Sequence, residues 1–211
     1  MKKLILSFSV LAMLASCQNA PEGDKAETTD TQNVAAASGT TYSVDKAAST
    51  VSFLGTKPVG THTGDFKLSD GSFTIDNGNI TSGSFVIDIN SMVMTDKDTA
   101  YMSKLAGHLL SADFFEADKF PTAKFEITAC EPIANNSTAS HQISGNLTLK
   151  DSTKNVTFPA MVSVSENEVS AVADFVIDRT QWGLFYGNDK SLGDKFIYPE
   201  VKINLSVKAS K

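Results

Sequence analysis

Side chains that could act as nucleophiles, bases or metal ligands are few and widely spaced in this sequence. Its three histidines, His62, His108 and His141, form no pair at i, i+4 spacing and no His-Glu-x-x-His motif, so no zinc site is indicated. The Gly-x-Ser-x-Gly elbow that carries the nucleophile of many hydrolases is absent. Cys130 would need a nearby histidine or cation to become a nucleophile, and a buried, inert thiol is the simpler interpretation. The sequence therefore favours a protein that is not an enzyme and has no metal or cofactor.

Cys17 is the residue whose neighbours predict a specific reaction. Lys2 and Lys3 precede an apolar run, residues 4–15, which is followed by Ser16. This order is that of an exported protein, and the apolar run is shorter than the roughly 20 residues that span a membrane. The last four residues of the stretch resemble the bacterial lipobox, in which the thiol takes a diacylglycerol and cleavage leaves the cysteine at the N-terminus. We expect residues 1–16 to be a lipoprotein signal peptide and Cys17 to be lipidated, with an ordinary secretory signal as the alternative.

Residues 17–41 are predicted to join the lipid to a folded domain. They are small and polar and show no apolar periodicity, so we expect a flexible linker. Residues 42–211 are then one domain, long enough to bury a hydrophobic core. Gln18 differs from the aspartate that commonly retains lipoproteins in the inner membrane of enteric bacteria. The expected location is therefore the cell envelope, periplasmic or outer-membrane-associated.

The charge balance argues against two classes of partner. The sequence has 18 Lys and Arg against 24 Asp and Glu, a net charge of −6 that becomes −8 once Lys2 and Lys3 are removed. No basic run is longer than a pair. Nucleic acids and anionic membrane surfaces are therefore not expected as partners.

Apolar residues alternate with polar ones in run after run from about residue 51 onward. Such alternation indicates strands with one buried face, of which Phe125, Ile127 and Ala129 are an example. Asn77-Gly78 between two runs predicts a hairpin, because both residues accept a positive φ. About seven or eight such strands in one domain predict a β-sandwich or a closed antiparallel barrel. A barrel of about eight strands can just enclose one small ligand.

Residues 96–112 interrupt this alternation. Tyr101, Leu105, His108 and Leu109 fall at helical spacing, which predicts a helix of about three to four turns. This helix would belong to an otherwise all-β domain.

Three stretches, in this order along the chain, resemble the YceI-like, polyisoprenoid-binding family. The first is TYSVDKAASTVSFLGTKPVG, the second is HLLSADFFEADKFPTAKF at residues 108–125, and the third is DRTQWG at residues 178–183. The resemblance covers about residues 42–208. It departs from the family at Ala48-Ser49, where many relatives carry His-Ser, and many relatives also lack a lipobox.

The resemblance implies an extended antiparallel, lipocalin-like β-barrel of about eight strands with one packed helix over about residues 96–112. It also implies an elongated apolar cavity that holds an isoprenoid or another long-chain lipid. Nine residues are candidates for contact with such a ligand: Phe53, Phe66, His108, Phe114, Phe115, Phe125, Arg179, Trp182 and Phe185.

Several of these candidates have two interpretations. Phe114 and Phe115 are expected to point in different directions, so that at most one lines a cavity. His108 could bond a loop or the carbonyls at a helix end, or it could contact a lipid head group. Arg179 could pair with a carboxylate or stack on Trp182, or it could bind a phosphate or carboxylate head group. The glycine-rich residues 57–64 are a plausible rim of the barrel.

The sequence thus predicts a membrane-tethered, extracytoplasmic lipid-binding protein, with an isoprenoid or similar lipid as ligand and the membrane as partner through its N-terminal anchor. The alternative is a non-catalytic structural or interaction lipoprotein whose barrel is filled by its own side chains.

Overall fold

The computed structural model describes residues 19–96 and 99–211. The predicted signal peptide and the predicted lipidation site, Cys17, lie outside these residues. Within the described ranges, no helix is long and apolar enough to cross a membrane.

The described chain forms ten strands, one α-helix and two short 3₁₀ helices. The elements are β1 (Glu27–Thr29), β2 (Thr40–Val44), β3 (Thr50–Lys57), β4 (Gly60–Asp76), β5 (Asn79–Met94), α1 (Thr99–Leu110), β6 (Thr122–Pro132), β7 (His141–Leu149), β8 (Ser152–Val164), β9 (Glu168–Asp178), 3₁₀ helices at Arg179–Trp182 and Lys190–Lys195, and β10 (Glu200–Ser210). The helix is shorter than the predicted 96–112, because Asp96 accepts hydrogen bonds from His62 and Thr63 instead of joining it.

Strands β3 to β10 form a closed antiparallel barrel, as predicted. Each strand from β3 to β9 pairs with the next one, and β10 pairs with both β9 and β3, which closes the sheet. Strand β2 also lies between β4 and β10 and pairs with both, nearer the β4–β5 hairpin than β3 does. The Asn77-Gly78 hairpin between β4 and β5 is confirmed, with φ values of 49° and 80°.

The alternation in sequence determines which side chains face the barrel interior. In β9, for example, Val169, Ala171, Ala173, Phe175 and Ile177 are all buried. These residues face the inside because side chains alternate between the two sides of a strand. The core therefore lies inside the barrel.

One predicted buried face is wrong at its end. The pairing of β6 with β7 shifts register between Ile127 and Ala129, so that Cys130 and not Ala129 stands opposite the buried Ile143. Cys130 packs against the core in its place. A bulge adds one residue and reverses the direction of every side chain after it, which a period-two pattern cannot foresee.

The barrel has two different ends. The closed end carries the connections β4–β5, β6–β7 and β8–β9, and there the Tyr42 hydroxyl donates to the Glu166 carbonyl oxygen at 2.9 Å. The mouth end carries the connections β3–β4, β5–β6, β7–β8 and β9–β10. Helix α1 belongs to the β5–β6 connection, and both 3₁₀ helices belong to the β9–β10 connection.

The predicted flexible linker is wrong for residues 22–39, which lie along the outside of the barrel and are called the N-terminal strap here. Strands β8 and β9 pair with each other only over 161–164 and 169–172. Between them nearer the mouth, the Val176 amide donates to the Asp24 carbonyl oxygen at 2.8 Å, and the Ala26 amide donates to the Val176 carbonyl oxygen at 2.9 Å. Strand β1 pairs with β8 beside this bridge, and Ala26 packs against the core.

The strap then crosses β7, β6 and β5 towards the closed end. Its main-chain groups at Gln32 exchange two hydrogen bonds with the buried Asn146 side chain, at 3.0 and 2.7 Å. The Ala35 amide donates to the Ile127 carbonyl oxygen at 3.1 Å, and the Ser38 carbonyl accepts from the Thr81 hydroxyl at 2.7 Å. The strap is ordered mainly by backbone hydrogen bonds, so its low apolar content was a poor guide to its order.

Candidate functional site

The barrel encloses a cavity of about 460 Å³, within the range of ligand pockets. Its deep wall is made of apolar side chains from seven of the eight barrel strands, β4 to β10. The deep lining residues include Leu68, Phe73, Phe85, Ile87, Ile127, Ile143, Val156, Phe158, Ala160, Ala171, Ala173, Phe175, Ile203, Leu205 and Val207. The alternative interpretation of the sequence required a barrel filled by its own side chains, and this cavity shows that the interior is not filled.

The cavity follows the strands from the mouth towards the closed end. In β10, Val201 and Val207 both line it, and the six residue steps from one to the other span about 20 Å along the strand. With the strand tilt of roughly 40° that is typical of barrels, the depth along the axis is about 15 Å. This is half of the roughly 30 Å hydrocarbon core of a bilayer, which is the length of the lipid chains in one leaflet.

Phenylalanine rings make up much of the wall. Phe53 lies 5.5 Å from Phe66, and Phe66 meets Phe115 edge-on at 5.6 Å between ring centroids. On the other side, Phe125 packs 5.9 Å from Phe158. A Cβ on Gly145 would stand 2.2 Å from the Phe125 Cζ, so only glycine leaves room for this ring.

Phe158 and Phe175 form the tightest aromatic pair, stacked with their centroids 4.0 Å apart. Neither was among the nine candidates, although the alternation in β8 and β9 already placed both inside. The sequence therefore predicted the direction of both side chains correctly, but it did not show how deep the cavity extends.

Seven of the nine candidate residues line the cavity, namely Phe53, Phe66, His108, Phe114, Phe115, Phe125 and Arg179. Trp182 is buried elsewhere, where its indole N–H donates to the Leu147 carbonyl oxygen at 2.8 Å. Phe185 is 58% exposed and outside the lining. The expectation for Phe114 and Phe115 is also wrong, because both line the cavity from a series of turns, where strand alternation does not apply.

Arg179 is buried at the mouth end and holds the β9–β10 connection together. Its guanidinium donates to the carbonyl oxygens of Leu184, Tyr186, Ile197 and Tyr198. Burial lowers the pKa of this group and the nearby Asp178 carboxylate partly offsets the effect. These bonds support the structural interpretation of Arg179, with neither a carboxylate nor Trp182 as its main partner.

His108 lies on the cavity side of α1 with Tyr101, Leu105 and Leu109, as helical spacing predicted. Its Nε2 is 2.9 Å from the Asp113 carboxylate. The His108 imidazole therefore bonds the loop after the helix and does not cap helix carbonyls. Both the ring and its carboxylate partner remain partly exposed, so a head group could still reach this pair.

His62 and Asp96 form a second polar pair at the mouth. His62 Nδ1 lies 2.9 Å from the Asp96 carboxylate, which also accepts from the amide and the hydroxyl of Thr63 at 2.8 and 2.9 Å. Burial acts to raise the pKa of Asp96, but these hydrogen bonds outweigh it and hold the pKa below its ordinary value. The predicted rim at residues 57–64 thus contributes His62 and Lys57 to the cavity lining.

The polar lining residues all lie at the mouth end. Besides the groups already described, they include Lys57, Tyr101, Asp194, Lys195 and Tyr198. These residues come from three connections that are distant in sequence, which is why no local motif announced them. The cavity is thus apolar at depth and polar at its opening.

Cys130 has no features of a nucleophile. Burial raises the pKa of its thiol to about 11, so the reactive thiolate is scarce at neutral pH. Among the described residues, no group of three or more histidine, cysteine, aspartate and glutamate side chains is placed to hold a metal ion.

Comparisons with known proteins identify a family model and several sequence relatives. The family model described as "YceI-like domain" matches residues 42–209. A UPF0312 protein of Pseudomonas paraeruginosa is 40% identical over 105 residues, which are 50% of this chain and 51% of that protein. A UPF0312 protein of Vibrio cholerae is 32% identical over 97 residues, 46% of this chain and 48% of that protein. The chain spans about half the length of these curated relatives.

Two solved structures share the barrel. The crystal structure of BcnA from Burkholderia cenocepacia aligns with a TM-score of 0.64 at 23% identity, covering 79% of this chain and 99% of that one. A polyisoprenoid binding domain from Saccharophagus degradans, implicated in plant cell wall breakdown, aligns with a TM-score of 0.62 at 17% identity, covering 80% and 97%. At these identities the similarity concerns the fold.

Proposed function

Because the chain belongs to the YceI-like domain family, we propose that its barrel binds an isoprenoid or a similarly long amphipathic lipid in the cavity. The family match confirms the resemblance that the sequence motifs indicated. The domain from Saccharophagus degradans, described as polyisoprenoid binding, supports this choice of ligand through its shared fold. The proposed role is binding, without turnover of the lipid.

The observation that carries the proposal is the distribution of polarity along the cavity. Its deep lining offers only apolar side chains, which favour a hydrocarbon chain by about 0.8 kcal/mol per buried methylene. A lipid therefore enters with its tail towards the closed end and its head group at the mouth. There the head group meets Lys57, His62, His108 and Lys195.

The proposal includes a lipid tether at Cys17 and a location outside the cytoplasm. It is supported by the lipobox-like residues that precede the described chain. Because the strap is bound to the barrel from residue 22 onward, only residues 18–21 separate Cys17 from the strap. The lipid would then lie at most about 18 Å from Glu22, well within reach of the barrel. Detergent-phase partition that persists in Cys17→Ser protein exported by a soluble-protein signal would contradict the tether.

A pair of neighbouring substitutions tests ligand binding in the cavity. Ala173 is buried and lines the cavity, whereas Val172 is exposed on the outer face of the same strand. Ala173→Phe should fill the cavity and lower the affinity for a fluorescent isoprenoid or fatty-acyl probe at least about tenfold, at a stability cost of about 1–3 kcal/mol. Val172→Phe adds the same ring outside and should bind the probe like the unsubstituted protein.

Native mass spectrometry identifies the natural ligand. The purified protein should carry a lipid mass that is lost or much reduced in Ala173→Phe protein. A clean protein mass together with no uptake of either probe would refute lipid binding and return the barrel to a structural role.

A further inference from the structure

Exposed apolar side chains concentrate at the mouth end. Nine large hydrophobic residues are exposed in the described part of the chain, and five of them lie on connections at this end. These five, called the mouth patch here, are Val59, Tyr101, Phe185, Tyr186 and Leu192. Exposed apolar groups around an opening are typical of a surface that meets another apolar phase.

The charges around the mouth patch are mixed. Lys190 and Lys195 stand on the β9–β10 connection with Asp189 and Asp194, and Lys57 borders the β3–β4 connection. Such a mixture creates no strong field of one sign, so it does not select an anionic surface. Aromatic side chains with a polar edge, such as tyrosine, are enriched at the boundary between lipid and water. The patch therefore suits the interface of a zwitterionic bilayer.

The strap begins at the same end. The Glu22 carbonyl accepts from the Lys202 ammonium at 3.4 Å, and Gly23 lies against Val176. Val176 pairs with Lys202, two residues before the last pair of β9 and β10 at the mouth. Residue 23 is thus about 7 Å along the strand from the mouth end. Glu22 and Gly23, near the start of the described chain, therefore lie at the mouth end of the barrel.

We propose that the mouth patch docks on a phospholipid bilayer, so that the cavity opens towards the lipid chains. Insertion of Phe185 and Leu192 would provide most of the attachment, because both are apolar and exposed. A lipid could then move between the membrane and the cavity without crossing water. This inference goes beyond the proposed function, since docking requires no bound ligand.

Fluorescence quenching tests the orientation on the whole protein, purified from cells with its natural N-terminus. Phe185→Cys and Leu192→Cys are each labelled with an environment-sensitive fluorophore and mixed with phosphatidylcholine vesicles that carry a quencher on their acyl chains. Met161→Cys and Val172→Cys are the matched controls, because both residues are exposed and apolar but lie on the barrel wall. Unsubstituted protein is labelled in parallel to subtract any signal from Cys17 or Cys130.

The expected result is loss of most fluorescence at positions 185 and 192 and little change at 161 and 172. Equal quenching at all four positions, or none at 185 and 192, would overturn the proposal. Phe185→Asp combined with Leu192→Asp, made in Cys17→Ser protein exported by a soluble-protein signal so that no lipid anchor contributes, should lower partitioning into these vesicles at least about tenfold. Val172→Asp in the same protein should leave partitioning unchanged. Docking that disappears in high salt would also overturn it, because apolar insertion is not screened.

Two further outcomes separate this inference from other interpretations. If the mouth patch instead joins two copies of the chain, light scattering without vesicles shows a dimer that Leu192→Asp disrupts, and docking on lipid is overturned. The same variants are assayed for uptake of the isoprenoid probe. Probe uptake without docking refutes this inference and leaves the proposed function intact, whereas docking without probe uptake does the reverse.

Discussion

The two ends of the barrel are built on different principles. At the closed end, short connections and the molecule's own side chains fill the interior, with Tyr42, Ile75, Val169 and Ala209 all buried. At the mouth end, long connections carry the helix, both 3₁₀ helices and the polar lining of the cavity. The difference indicates that the closed end stabilises the fold. It agrees with the proposal that a ligand enters at the mouth end, since binding residues often lie on loops of a rigid scaffold.

The largest effect should come from placing a charge at the closed end. Val169 is 0% exposed, so Val169→Asp would bury an unpaired carboxylate and destabilise the protein by about 3–5 kcal/mol. Leu192→Asp at the mouth end should change the free energy of unfolding by less than about 0.5 kcal/mol, because Leu192 is exposed. Urea unfolding of both variants measures the contrast. Similar losses at the two ends would contradict the division of roles.

An intermediate effect on stability is expected at Asn146, which holds the strap on its way from the mouth end to the closed end. Asn146→Ala removes both hydrogen bonds to Gln32 and one to the Asn155 side chain, and should cost about 1–3 kcal/mol. The loosened strap should be cut faster by trypsin after Lys25. Exposed Asn79→Ala is the control and should leave both stability and cleavage unchanged. An unchanged cleavage rate in Asn146→Ala would show that the strap is held independently of this residue.

The smallest effect concerns pH and the polar pair at the mouth. The pKa of Asp96 in the folded protein is below its ordinary value of 3.8, so the bonds from His62 and Thr63 stabilise the fold above about pH 4. This contribution is lost as the pH falls through the folded pKa. Because the pair is partly solvated, we expect about 1 kcal/mol or less.

Comparison with a variant isolates this contribution. Unfolding free energies of Asp96→Asn and unsubstituted protein should differ at pH 6 and converge as the pH falls below 4. Asp113→Asn, which changes the more exposed carboxylate beside His108, should show a smaller difference. A constant difference for Asp96→Asn at all pH values would mean that its carboxylate contributes no charge-dependent stability.

The fold was largely predictable because side chains that face the barrel interior alternate in sequence with side chains that face outward. Val156, Phe158 and Ala160 in β8 follow this rule, as do the inward residues of β9 and β10. The bulge after Ile127 broke it, since one inserted residue has no signature in a binary pattern. The strap was missed for a different reason, because main-chain hydrogen bonds depend on position and leave little trace in composition.

The site was predictable only in part. Aromatic residues on strands, such as Phe53 and Phe125, could be placed inside by their alternation. The polar mouth could not be predicted from the sequence. Lys57 and His62 flank one connection and Lys195 lies on another that is distant in sequence, so that only folding brings them to the same cavity. Trp182 was selected with Arg179 from one motif, and Phe185 was selected because it follows that motif. The 3₁₀ helix after β9 buries Trp182, whereas Phe185, beyond the helix, is exposed.

The strap also determines how force applied to the N-terminus is transmitted to the barrel. Force applied there reaches the barrel first at Glu22, Asp24 and Ala26, and so loads β10 and β9, and then β8, before it reaches β2. Peeling the strap breaks its hydrogen bonds in succession, each worth about 1 kcal/mol, while the closed barrel stays intact. Full release of residues 22–39 would free a segment that spans at most about 60 Å when extended. Under load, the strap is therefore expected to detach and extend before the barrel unfolds.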